Sequence, residues 1–101
     1  MRKSPQKIAQ AFPPGDFIRE ELEARGWSQR DLARIIGRPL QAVNEIINGR
    51  KRITPETSLE LSAAFGTDPK FWLNLDASYR IWLAGEPDPK IAKRAAAMAR
   101  V

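Results

Sequence analysis

Ser28-Gln-Arg-Asp-Leu-Ala-Arg-Ile-Ile-Gly-Arg-Pro-Leu-Gln-Ala-Val-Asn-Glu-Ile-Ile-Asn-Gly49 is the stretch that decides how this chain of 101 residues is read. Leu32, Ala33 and Ile36 recur at helical spacing with Ile35 flanking them, and Ser28 with Asp31 three residues on resembles a capping box in which a shorter acid replaces Glu or Gln. Gly37 supplies the left-handed conformation that ends this helix in a sharp turn, and Pro39 presets the first turn of the next. Val43, Ile46 and Ile47 then recur at i, i+3 and i+4, the inner stripe of a second helix from Leu40 to Asn48 that Gly49 stops. Two short amphipathic helices joined this tightly form a helix-turn-helix arrangement.

The second helix leaves Leu40, Gln41, Asn44, Glu45 and Asn48 outward. A face of amides and one acid, without lysine, is unusual for a generic surface helix. It suits base edges in the major groove, where Gln and Asn pair with adenine in a bidentate way and Glu accepts from the cytosine amino group. Arg50-Lys51-Arg52 follows directly, a compact positive loop placed where the phosphates of the same groove wall would lie.

On the N-terminal side, residues 1–13 hold Pro5, Pro13 and the basic Arg2, Lys3 and Lys7 without a helical period, and read as a flexible arm. A helix follows from an Asp16 N-cap through Phe17, Ile18 and Leu22 to Gly26, its Glu20, Glu21 and Glu23 forming a solvated outer side. On the C-terminal side, Thr54-Pro55 caps a helix with Leu59, Leu61, Ser62 and Phe65 inside and Gly66 as its stop. Asp68-Pro69 opens the longest helix, Lys70 to Ala84, which carries half of the aromatic residues. Its apolar circumference exceeds what one small core covers, which predicts a dimer interface through Phe71, Trp72, Leu75, Tyr79 and Trp82. Gly85-Glu86-Pro87-Asp88-Pro89 breaks the chain, and the alanine-rich basic segment after it, with Ile91 and Met98, makes at most a marginal helix that needs a partner. The expected division is an arm over 1–13, a helical domain over 14–84 and a tail over 85–101.

The net charge is +5, and its location matters more than its size: residues 1–52 carry 11 basic and 6 acidic side chains, whereas residues 53–101 carry 6 of each. Positive charge clustered beside a groove-sized helix is the electrostatic footprint of a nucleic-acid binder. Without cysteine or histidine the chain has no disulfide, thiol nucleophile, Ser-His-Asp triad or common zinc ligand, so an enzyme, a metal and a cofactor are not expected. No apolar run approaches the ~20 residues of a membrane span, and the N-terminus lacks the apolar segment of a signal peptide, so the expected location is the cytoplasm.

Residues 14–84 resemble the HigA-type antitoxin branch of the XRE, or lambda-repressor-like, helix-turn-helix family. The segments that carry the resemblance are Pro14-Gly15-Asp16-Phe17-Ile18, Ser28-Gln29-Arg30-Asp31-Leu32-Ala33, Val43-Asn44-Glu45-Ile46-Ile47-Asn48-Gly49-Arg50-Lys51-Arg52-Ile53-Thr54-Pro55 and Phe71-Trp72-Leu73-Asn74-Leu75. The resemblance implies an all-α, five-helix DNA-binding domain with a flexible arm and a short tail. It also implies a homodimer built through the last helix, binding to a palindromic operator in its own promoter, and a cognate RelE-like mRNA-cleaving toxin in the bacterial cytoplasm. Residue by residue, it places Gln29 on a phosphate, Leu40, Gln41 and Glu45 on bases with Asn44 beside them, and Arg38, Asn48, Arg50 and Lys51 near the backbone, in line with the Arg50–Arg52 loop read above. Two positions depart from the pattern: Leu40 stands where a polar reader is common, and Ala42 replaces a frequent Thr or Ser. Other readings are a stand-alone XRE regulator without a toxin, separated by whether a short basic reading frame adjoins the gene, and a protein-interaction module that has lost DNA binding.

Overall fold

The computed structural model describes residues 12–98, which form six helices and no strand. The expected arm lies outside the described residues up to residue 11, as do residues 99–101; Phe12 itself is exposed. The helices are α1 (Pro14–Arg25), α2 (Gln29–Ile36), α3 (Leu40–Ile47), α4 (Pro55–Phe65), α5 (Phe71–Ala84) and α6 (Pro89–Met98).

Local chemistry sets most of these boundaries. At α2 the Ser28 hydroxyl accepts the Asp31 N–H at 3.0 Å while the Asp31 carboxylate accepts the Ser28 N–H at 2.9 Å, a complete capping box. Thr54 caps α4 through the Thr57 N–H at 3.2 Å. The start of α1 differs from expectation by the position of a proline, while α3 starts at Leu40 as expected. Pro13, extended at ψ 149°, is the N-cap of α1, so Asp16 lies inside the first turn and pairs with Arg19 at 3.2 Å. Pro39, with ψ 148°, is the N-cap of α3, and Leu40 is its first helical residue. The five expected helices fill residues 14–84, and the tail adds a sixth, α6. Asp88 starts it by accepting the Lys90 N–H at 2.9 Å, and alanine favours its continuation; none of its residues is buried.

The core draws Ile18 and Leu22 from α1, Leu32 and Ala33 from α2, Val43, Ile46 and Ile47 from α3, Ile53 from the loop, Leu61 and Phe65 from α4 and Trp72 from α5. Two expectations about it are overturned. Leu59 is 56% exposed, and the inner face of α4 is instead Thr57, Ser58, Leu61, Ser62 and Phe65. The serines go inside because the α4–α5 turn needs them: Ser58 Oγ donates to the Pro69 carbonyl at 2.8 Å and accepts the Leu73 N–H at 3.0 Å, and Ser62 Oγ donates to the Asp68 carbonyl at 2.7 Å. Trp72, expected at a dimer interface, is 0% exposed. Its ring lies between Phe65 and Phe71, with centroids at 5.6 and 4.9 Å, and its Nε1–H donates to Thr67 Oγ1 at 3.0 Å. It is a core residue with no surface to offer a second chain.

Two glycines make the motif possible. Gly37 sits at φ 74°, ψ 36°, and the N–H groups of Gly37 and Arg38 both return to the Ala33 carbonyl, at 2.9 and 3.0 Å, which folds α3 back across α2. Gly15 allows α1 to touch the end of α3, since a Cβ there would stand 1.8 Å from the Ile47 carbonyl oxygen.

Candidate nucleic-acid interface

α3 buries Val43, Ile46 and Ile47 and turns Gln41 outward, with Asn44 and Glu45 half-buried beside it. The four base-reading candidates therefore share one helix, but they are not equivalent. Leu40 packs against the core cluster, so most of its apolar surface serves the fold. Gln41 and Glu45 stand one turn apart, with Gln41 Nε2 and Glu45 Oε2 at 3.5 Å. Lys51 Nζ approaches the other oxygen of Glu45 at 3.8 Å. The one acid of the face is thus flanked by an amide and a cation, which offsets its repulsion of a phosphodiester strand.

The loop after α3 is built by the end of that helix. The N–H groups of Arg50 and Lys51 both return to the Glu45 carbonyl, at 2.9 and 3.1 Å, and Gly49 takes φ 80°. Arg50, Lys51 and Arg52 are all exposed. Asn48 is exposed too, and its Oδ1 accepts from Arg19 at 3.2 Å, tying the loop to α1. Gln29 is half-buried at the first turn of α2. Arg38 is differently employed, because its guanidinium grips Glu60 of α4 in a bidentate pair at 2.5 and 3.1 Å. That hydrogen-bonded carboxylate raises the Arg38 pKa further above its already high ordinary value.

Sequence reasoning missed the pair that holds this loop. Asp76 of α5 is buried, and its carboxylate accepts the Ile53 N–H at 3.1 Å and Arg80 Nε at 3.3 Å. Arg80 in turn donates to the carbonyls of Gly49, at 3.1 Å, and Lys51, at 3.4 Å. One carboxylate and one guanidinium thereby fix both ends of the basic loop to the aromatic helix. The available signal is an acid four residues after Trp72 on the core-facing side of α5, with an arginine four residues later: a buried acid needs partners, and i,i+4 supplies one. Of the dimer-interface candidates, Phe71 and Trp82 are exposed at 39% and 40%, while Leu75 and Tyr79 are half-buried. Ile81 and Leu83, outside the candidate stripe, are more exposed than either.

A family model described as helix-turn-helix matches residues 18–72. An addiction module antidote protein of a HigA family from Coxiella burnetii superposes with a TM-score of 0.70 at 35% identity, over 90% of this chain and 97% of that one. The chain belongs to the HigA type of the XRE helix-turn-helix family. The HigA antitoxin of Pseudomonas aeruginosa, solved with the higBA promoter, is similar with a TM-score of 0.70 and 25% identity, over 89% of this chain and 96% of that one. Virulence-associated protein A' of Dichelobacter nodosus is 34% identical over 84 residues, 82% of this chain and 73% of its own. This HigA-type chain has the all-helical architecture of its relatives, and its family is one of DNA-binding regulators rather than enzymes. Among the described residues no helix is long and apolar enough to cross a membrane.

Proposed function

We propose that the chain is a sequence-specific DNA-binding antitoxin that represses its own operon as a homodimer and neutralises a RelE-like mRNA-cleaving toxin by direct binding. One observation carries the DNA half: the outer edge of α3, exposed Gln41 and half-buried Glu45, leads into the exposed Arg50–Arg52 loop, which Asp76 and Arg80 pin from behind. α3 would enter the major groove with Gln41 and Glu45 on bases and Asn44 beside them. Gln29, Asn48, Arg50, Lys51 and Arg52 would meet phosphates, with Arg38 near the turn. The Pseudomonas relative solved with its promoter supports DNA binding by this fold. Two copies would meet along α5, through Trp82 and Tyr79 near its exposed apolar end and Leu75 and Phe71 towards its start. A dimer of this kind reads a palindromic operator, in the bacterial cytoplasm and on the nucleoid. The toxin half is supported by the antidote and antitoxin names of the relatives.

Footprinting on the DNA upstream of its own gene tests the first half. Protected half-sites about 34 Å apart, one helical turn, or a multiple of it, are expected. Gln41→Ala should cost about 1–3 kcal/mol and relax preference at one base pair, and equal loss on every sequence would remove Gln41 from base reading. Co-expression with the product of an adjoining short reading frame tests the second half. Failure of the two proteins to co-purify, or absence of such a frame, favours a stand-alone regulator.

A further inference from the structure

The outer side of the α2–α3 elbow carries positive charge that the groove-reading residues do not account for. Arg30 and Arg34 stand one turn apart on α2, Arg38 follows in the turn, and with Gly37 and Leu40 they line an open concavity of about 510 Å³. Arg30 and Arg34 are exposed and form no ion pair with another described residue. Two acids stand nearby and offset part of this charge: Glu60 pairs with Arg38, and Asp31, which holds the Ser28 N–H, faces Arg34 across one turn, which leaves a surplus on Arg30 and Arg34. α3 also begins here without a side-chain cap, so the positive end of its dipole faces the same space. Two guanidiniums without an ion pair, a third shared with Glu60 and a helix start around one concavity leave a net positive potential that suits an anion.

We propose that this elbow is an anion site that takes a DNA backbone phosphate beside the start of the reading helix, in addition to the phosphates met by Gln29 and the Asn48–Arg52 loop. The inference rests on the DNA-binding reading above. The planar guanidinium fork suits the oxygens of a phosphodiester, and the concavity ends at Leu40, the first residue of the helix that enters the groove. A duplex seated on α3 therefore brings its backbone to the arginines, whereas an acidic protein segment would have to reach the same place past the DNA.

The test compares the full chain with Arg30→Ala/Arg34→Ala and Arg30→Lys/Arg34→Lys. Binding to a duplex of about 30 bp from its own upstream DNA is followed by fluorescence anisotropy between about 50 and 300 mM salt. The alanine pair should lower the slope of log K on log salt by about one, the change expected when one phosphate is no longer neutralised, with the footprint unmoved. The lysine pair should restore most of that slope. Glu60→Gln, which frees Arg38, should tighten binding. An alanine pair that melts like the wild type and keeps its slope overturns the elbow site alone, leaving the groove reading intact, and an acidic protein partner then becomes the occupant to seek. A wild-type chain that binds the duplex without salt dependence overturns both.

Discussion

Asp76 is the residue whose replacement separates holding the fold from aiming the loop. Its side chain is 7% exposed and accepts from the Ile53 N–H and from Arg80, whose side chain is 22% exposed. Asp76→Ala leaves a buried N–H without an acceptor, about 1–3 kcal/mol, and removes a charge-assisted bond from Arg80. A fully buried pair broken on one side costs about 3–5 kcal/mol, but water reaches Arg80 and lowers that figure, so about 2–4 kcal/mol is expected in total. For a chain of this size, with about 5–15 kcal/mol of stability, the variant still folds at room temperature but melts well below the wild type. Asp76→Asn retains an acceptor for Ile53 but turns an amide NH2 toward Arg80 in place of the second carboxylate oxygen, so about 1–2 kcal/mol is expected. Arg80 then loses its anchor, and the carbonyls of Gly49 and Lys51 lose theirs. The side chains of Arg50, Lys51 and Arg52, proposed above to meet phosphates, should spread over more conformations, lowering the salt slope by up to about one for each phosphate they cease to neutralise. Urea unfolding gives the stability and a salt titration of DNA affinity gives the slope. Asp76→Ala costing less than about 0.5 kcal/mol would refute the clamp, since that is the range of ordinary surface changes. Asp76→Asn that unfolds earlier while keeping the full slope would refute its role in aiming the loop.

Gly15→Ala should destabilise by about 1–3 kcal/mol, because the new methyl would meet the Ile47 backbone and α1 must move; an ordinary helical Gly→Ala gain of about 0.5–1 kcal/mol in chemical denaturation would refute the close approach. The Asp31 carboxyl is held below its ordinary value of 3.8, first by the Ser28 N–H and then by the Ser28 hydroxyl. Its folded pKa being the lower, its stabilising contribution is complete well above 3.8 and disappears as pH falls through that value and below, so the stability gap between wild type and Asp31→Asn should narrow on acidification; a gap independent of pH would count against the capping box. Trp82→Glu should shift the sedimentation of a dimer toward monomer with little loss of protomer stability, whereas Trp72→Ala should cost about 3–5 kcal/mol through its cavity. A dimer that survives Trp82→Glu places the interface elsewhere.

The helix-turn-helix is legible in the sequence because its signals are local. Ser28 and Asp31 are three residues apart, Gly37 acts on its own backbone, and the stripe of Val43, Ile46 and Ile47 repeats within two turns. Periodicity misplaces Leu59 and Trp72 because it gives the face of a helix without saying how much of it other elements cover. On α4 the turn to α5 needs hydroxyls inside, so Ser58 joins Ser62 on the inner face and Leu59 turns outward. On α5 the aromatic surplus is real, but a single chain absorbs Trp72 and leaves the excess further along, at Ile81, Trp82 and Leu83. The Asp76–Arg80 clamp joins residues 23 to 31 positions apart, and no local rule reports on such a distance.

α5 serves three tasks along its length, and their order has a mechanical consequence. Trp72 fixes its first turn in the core, Asp76 and Arg80 grip the basic loop from its middle, and Ile81, Trp82 and Leu83 leave its end uncovered. A second chain covering that end would rest within one turn of Arg80, on the helix that also sets where Arg50, Lys51 and Arg52 stand. A partner that shifts or stiffens the end of α5 acts on the loop through the same two side chains, and linkage requires DNA to act on that partner by an equal factor. If Asp76 and Arg80 transmit this coupling, Asp76→Asn should reduce the effect of dimerisation on DNA affinity by more than it reduces either dimerisation or protomer folding. Equal reductions in all three would mean that the clamp holds α5 in place and transmits nothing.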